Sequence, residues 1–180
     1  MEEGIQIHGR RFVKAISADK IQRAIGDVAK KIDKDFKGKK PIFISVLNGS
    51  FMFTADLLKK VNIECEVSFI KVASYSGAKT SGKVHELIGL NEDLKGRAVI
   101  ILEDIIDSGN TIEKVMAALK KLKPSSIKIA TLFFKPEAYN KKLKIDYIGM
   151  DVPNDFIVGY GLDYDGLGRN LMDIYKLKSE

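Results

Sequence analysis

The sequence predicts an α/β fold with a mainly parallel central sheet flanked by helices. Three observations carry this. Residues 41–47, 98–102 and 127–134 are near-continuous apolar runs, the composition of strands buried on both faces. The stretches 17–32, 51–60 and 112–119 repeat apolar residues at helical spacing. Glycine-bearing polar turns, Asn48-Gly49-Ser50 and Ser108-Gly109-Asn110-Thr111, mark the passage from strand to helix.

At 180 residues the chain is expected to form one domain, 1–180. Hydrophobic residues make up 45% and charged residues 30%, an ordinary globular balance. The opening Met1-Glu2-Glu3 has neither the basic nor the apolar region of a secretory signal. No run approaches the ~20 apolar residues of a membrane helix. The single cysteine, Cys65, excludes an internal disulfide and points to a reducing cytoplasm. Cys65 lies in an alternating run, 63–69, and reads as a buried core thiol rather than a nucleophile. Two histidines, His8 and His85, are too few for a Cys/His metal set. The net charge of +6 is spread along helices and turns, as in Lys30-Lys31, Lys59-Lys60 and Lys120-Lys121. That is a solvated face, so neither nucleic acid nor membrane is expected as a partner. A small polyanionic substrate would still be attracted.

The elements follow in order. Residues 1–16 show short apolar alternations and read as a strand or a packing arm. Ser17 is a natural N-cap for a helix striped by Ile21, Ala24, Ile25, Val28 and Ile32. Gly38 and Pro41 end it and begin the 41–47 strand. The Asn48-Gly49 turn and a helix over 51–60 come next. A long strand is expected over 63–73, then a small, polar, basic loop, then a strand over 84–90. Residues 91–96 turn the chain into the run that organises the molecule.

That run is Ala98-Val99-Ile100-Ile101-Leu102-Glu103-Asp104-Ile105-Ile106-Asp107-Ser108-Gly109-Asn110-Thr111. A buried strand meets an acidic edge, then a glycine turn, then a helix carrying Ile112, Val115, Met116 and Leu119. Backbone N–H groups at such a turn make an anion site, and the Ser108 and Thr111 hydroxyls suit a phosphate. Glu103 and Asp104 would repel a phosphate and need sugar hydroxyls or Mg²⁺. A sugar phosphate with a bound metal satisfies both halves. The next strand, 127–134, ends at Lys135, on the same side of the sheet as the Asp107 turn. A short strand, 146–151, precedes a glycine-rich run, 156–171, that argues against a long helix. A strand-like piece and a charged tail close the chain.

Residues 99–111 resemble the phosphoribosyl-pyrophosphate (PRPP) motif of type I phosphoribosyltransferases. The segment Glu103-Asp104-Ile105-Ile106-Asp107-Ser108-Gly109 in particular resembles the hypoxanthine-guanine branch, and the likeness extends over about 41–171. It implies the type I phosphoribosyltransferase fold: a core over about 17–150, and a small hood from about 1–16 and 151–180. It implies Mg²⁺-dependent transfer of 5-phosphoribosyl from PRPP to N9 of hypoxanthine or guanine, giving IMP or GMP and pyrophosphate in purine salvage. By resemblance, Asp107 is the general base and points away from the phosphate toward the purine. Glu103, Asp104, Asp107, Ser108, Gly109, Asn110 and Thr111 hold the ribose phosphate. The pyrophosphate falls to Asn48, Gly49 and Arg169. Many family members carry Lys or Arg where this chain has Asn48. Lys135 donates to the purine O6, Phe156 stacks on the ring, and Ile157 and Asp163 read its edge. Glu103, Asp104 and Asp163 are the metal candidates. Ser74 and Tyr75 match the start of a loop that closes over the site. A homodimer or homotetramer is expected. The alternatives are a xanthine-preferring transferase and an RNA-binding regulator of the same fold.

Overall fold

The structure is a computed structural model that describes residues 4–72 and 87–178. Two sheets account for its strands. The larger has the order β5-β4-β3-β6-β7-β8 and the smaller β1-β2-β10-β9.

The chain opens with a hairpin, β1 (Gly4–Ile7) and β2 (Arg10–Ile16), that turns at His8-Gly9. Helix α1 (Ala18–Asp35) starts at Ser17, whose Oγ accepts from the Lys20 N–H at 3.4 Å. Its buried stripe is Ile21, Ile25, Val28, Ala29 and Ile32; Ala24 is only half-buried. Strand β3 (Ile42–Leu47) leads through the 48–50 turn into α2 (Phe51–Leu58) and on to β4 (Glu66–Val72). Strand β4 pairs parallel to β3 from Ile42↔Glu66 onward. Residues 63–65, expected in that strand, lie outside it, because β3 offers no partner before Ile42. Cys65 is accordingly half-buried rather than a core thiol. Strand β5 (Leu87–Ile88) runs antiparallel to β4. The Ser74 and Tyr75 assignments lie outside the described residues.

Strand β6 (Ala98–Ile106) is the centre of the sheet. It pairs parallel to β3 on one side and to β7 (Ser126–Phe134) on the other. Its side chains alternate between two cores. Ile100 and Leu102 face a cluster with α1 and α2, while Val99 and Ile101 face one with α3 (Asn110–Lys120). Parallel to β7, strand β8 (Tyr147–Asp151) forms the far edge.

The smaller sheet joins the two ends of the chain. Strand β10 (Ile174–Leu177) pairs antiparallel with both β2 and β9 (Ile157–Val158). This is the hood expected from the N-terminal arm and the C-terminal strands. Among the described residues no helix is long and apolar enough to cross a membrane.

From the centre, the chain leaves β3 toward β4 and leaves β6 toward β7, in opposite directions. In an open α/β sheet the ligand crevice opens at such a switch point, outside the carboxyl ends of the strands. The two glycine turns lie there.

Candidate active site

Glycine 109 opens α3 at φ 84°, and the Glu113 N–H donates to its carbonyl at 3.0 Å. No side chain caps the helix. Its first N–H groups are therefore left for an anion. Residues 105–112 and Glu103 line a hollow of ≈210 Å³ around this turn. Behind it, a Cβ at Gly109 would meet Tyr139 Cε2 at 2.5 Å and Lys141 Cγ at 2.7 Å, so only glycine fits. A larger hollow of ≈380 Å³ lies against the carboxyl half of α3, beside Leu143 and Asp146, and is lined by neither glycine turn.

Glu103 and Asp104 lie inside β6, not at its edge as expected. Pairing with β7 continues to Ile106↔Phe134, so the strand ladder carries both acids into the protein. Neighbours in a strand point to opposite sides of the sheet. Glu103 faces the hollow around the Gly109 turn, whereas Asp104 lies under the other turn, against Gly49. Both are buried, and Glu103 Oε1 has no hydrogen-bond partner. Burial, then the Asp104 charge, holds the Glu103 carboxyl well above its ordinary range. Burial also pushes Asp104 up to about 6, against the opposing pull of backbone N–H groups and Arg169.

The 48–50 turn is fixed from both sides. Beneath it, the Ser50 hydroxyl donates to the Val46 carbonyl at 2.6 Å and lies 2.7 Å from Ser45 Oγ. A Cβ at Gly49 would overlap Asp104 Oδ2 and lie 2.5 Å from its Cγ. Above it, Gly161 of the hood packs on the Gly49 carbonyl. Asn48 is exposed.

Asp107 and Lys135 stand at the ends of neighbouring strands. Lys135 Nζ is 3.4 Å from Asp107 Oδ2. The lysine is buried and the aspartate half-exposed, so the ammonium is presented from the wall and the carboxylate from the mouth. In the hood, Asp163 pairs with Arg169 at 2.6 Å, and Arg169 Nη1 donates to the Gly161 carbonyl at 2.7 Å. Phe156 is 46% exposed. Its ring meets Tyr164 nearly perpendicular at 5.5 Å and Phe12 at a tilt at 6.3 Å, and the rest of its surface is open. Ile157 is half-buried and pairs with Lys176.

A family model for the phosphoribosyl transferase domain matches residues 13–165. The chain belongs to the phosphoribosyltransferase family. Its place is on the hypoxanthine-guanine branch. The hypoxanthine-guanine phosphoribosyltransferase of Streptococcus thermophilus is 43% identical over 155 residues, 86% of each chain. Among solved structures, a hypoxanthine-guanine phosphoribosyltransferase from Bacillus anthracis superposes with TM-score 0.82 at 34% identity, over 92% of this chain and 96% of that one. The bifunctional TilS/HprT of Listeria monocytogenes is 41% identical over 166 residues, but this phosphoribosyltransferase chain spans only 26% of its length. The two sheets are the core and hood of the type I phosphoribosyltransferase fold.

The structure thus brings Glu103, Asp107–Thr111 and Lys135 to one mouth, and Gly49, Asp104, Asp163 and Arg169 to the adjoining one. Sequence reasoning missed Tyr139 and Lys141, which back the Gly109 turn, and Tyr160, which anchors the hood. Only the Gly159-Tyr160-Gly161 run carried a signal, as a place where the backbone bends sharply.

Proposed function

We propose that this protein transfers 5-phosphoribosyl from PRPP to N9 of hypoxanthine or guanine, releasing pyrophosphate and giving IMP or GMP. The observation that carries this is the Lys135–Asp107 pair at 3.4 Å, beside the Gly109 turn. A 6-oxopurine presents O6 and N7 side by side on one edge. Lys135 donates to O6, while Asp107 accepts the proton that N7 gives up as N9 bonds to C1′ and the bond from C1′ to pyrophosphate breaks. The 5′-phosphate lies on the free N–H groups of α3 and on the Ser108, Asn110 and Thr111 side chains. Glu103 and Asp104 serve the ribose hydroxyls from the two sides of β6, and their carboxylates, once ionised beside a cation, favour the cation-like sugar of the transition state. Gly49, Asn48 and Arg169 hold the leaving pyrophosphate. Phe156 covers the purine face, and Ile157 and Asp163 meet its edge.

The donor set fits Mg²⁺. Glu103 Oε1 is a buried oxygen without a partner, and Asp104 and Asp163 flank Arg169. Among the described residues no cluster of three or more Asp, Glu, His or Cys side chains forms a cage. Water and substrate oxygens would complete the shell of an ion held there. Bound there, Mg²⁺ would neutralise charge developing on the pyrophosphate.

We read 1–180 as one catalytic domain working in the cytoplasm as a homodimer or homotetramer, which sedimentation would distinguish. The test of function is incubation with PRPP, Mg²⁺ and each of hypoxanthine, guanine, xanthine and adenine, followed by ultraviolet absorbance. Turnover of hypoxanthine or guanine is expected. Xanthine alone as substrate, or no turnover with any base, would overturn the reading.

A further inference from the structure

Transfer chemistry as proposed leaves Tyr160, Asp56 and Gln22 unused. Tyr160 stands between Gly159 and Gly161, all three at positive φ (112°, 47° and 98°). A tyrosine in that region persists only where its surroundings over-determine it. Here they do. The ring is 3% exposed, and its OH donates to Asp56 Oδ2 at 2.5 Å. Asp56, on α2, also accepts from Gln22 Nε2 of α1 at 2.5 Å and pairs with Lys59 Nζ at 2.7 Å. Burial, reinforced by the Asp56 carboxylate, lifts the phenol far above its usual range, so the OH stays a donor at every working pH.

The connectivity gives this bond a task. Helix α2 begins directly after the 48–50 turn. Tyr160 ties the hood to that helix, and the next residue, Gly161, packs on the carbonyl of Gly49. The same hood segment carries Phe156 and Ile157 on one side of Tyr160 and Asp163 and Arg169 on the other. The purine-facing residues and the leaving-group turn are thereby bolted to one helix.

We propose that Tyr160, held by Asp56 and Gln22, is a positioning residue that fixes the purine-facing hood against the pyrophosphate turn. The inference rests on the transfer reading above. Tyr160 touches no reacting atom. It acts through Phe156, Ile157 and Gly161 on the line from N9 through C1′ to the departing oxygen. Displacing that line by ~1 Å costs about 100-fold in rate.

Tyr147 supplies an internal control. It is also 3% exposed, and its OH donates to Asp35 Oδ2 at 2.8 Å, at the amino end of β8 and away from both glycine turns. Tyr160→Phe deletes a buried phenol–carboxylate bond and the Gln22 Nε2 donation to the phenol at 3.2 Å, Tyr147→Phe one phenol–carboxylate bond, and both should lower the melting temperature, Tyr160→Phe by at least as much. Only Tyr160→Phe should change kinetics: a rise of about 10-fold in KM for hypoxanthine beside a fall of about 10-fold in kcat. Asp56→Ala, which removes the acceptor, should reproduce that split. Asp56→Asn, which keeps an oxygen for the Tyr160 hydroxyl, should restore most of it. Should Tyr160→Phe fail to fold, the two Asp56 variants carry the same comparison. Matching kinetics for the two tyrosine variants, or an Asp56→Asn as impaired as Asp56→Ala, overturns the role while leaving the transfer reading intact. A wild-type protein without turnover on any base refutes the transfer reading, and this role with it.

Discussion

Gly49→Ala is the sharpest probe of how the site is assembled. The added Cβ would overlap Asp104 Oδ2 and stand 2.5 Å from Cγ and 3.0 Å from Oδ1. Ordinary contact needs roughly 3.5 Å, so one partner must retreat by about 1 Å or more. Asp104 is short and buried, and Gly161 bars the turn from lifting away. Overpacking of this kind costs about 1–3 kcal/mol. For a chain of this size that corresponds to a fall of roughly 2–12 °C in melting temperature. The functional loss should be larger, because a displacement of ~1 Å at a reacting centre costs about 100-fold. The assay is kcat/KM for hypoxanthine with PRPP and Mg²⁺, beside calorimetric melting. Adding Asp104→Ala to Gly49→Ala makes room for the new methyl group. The double variant should regain melting temperature over Gly49→Ala without regaining turnover, a coupling expected only of groups in contact. Activity of Gly49→Ala within about threefold of wild type, or strictly additive melting losses, would refute the packing argument.

Three further outcomes follow from charge. Asp104 has its carboxyl raised to about 6 by burial, so folding favours its protonated form. Its stabilising contribution is full below the unfolded value near 3.8 and is lost as pH rises through about 6. At pH 8 the ligand-free fold then carries a buried charge costing on the order of 3 kcal/mol. Asp104→Asn should raise the melting temperature at pH 8, leave it little changed at pH 4, and impair turnover; equal gains at both pH values would contradict this. Asp107→Ala should lower kcat by about 100-fold or more, the usual worth of a general base, with KM for PRPP little changed. A large rise in that KM at normal kcat would refute the assignment. Wild type should use adenine about 10⁴-fold less well than hypoxanthine, because a 6-amino group cannot accept from Lys135. Lys135→Met should narrow that ratio in competition assays, mostly by losing hypoxanthine activity; an unchanged ratio would remove Lys135 from base selection.

Much of the fold is legible in the sequence because it is written in local periodicity. The apolar run of β6, the glycine turn and the stripe Ile112, Val115, Met116 and Leu119 announce strand, turn and helix, and all four stripe residues are buried. Ser17 is readable as a cap for the same reason. Where a boundary depends on a partner strand, the local pattern misleads. The alternation over 63–65 is strand-like, yet β4 waits for Glu66, where β3 can pair with it. Glu103 and Asp104 look like a solvated edge, yet the β7 ladder draws them inward. The site is legible as a set of residue types, but its contacts are not. Nothing near Asp56 signals a tyrosine 104 positions away, and nothing near Gly49 shows that Asp104 fills the space a side chain would need.

The bare amino end of α3 has a consequence for the protein at rest. Most helices spend a Ser or Asp side chain on those amides, but the left-handed φ of Gly109 and the Tyr139 and Lys141 side chains behind it leave no place for one here. Glycine leaves the first turn with open amides, which on the proposed function a phosphorylated molecule would complete. The nucleotide would in that sense be a removable piece of secondary structure, and the start of the helix would be firmest with it in place.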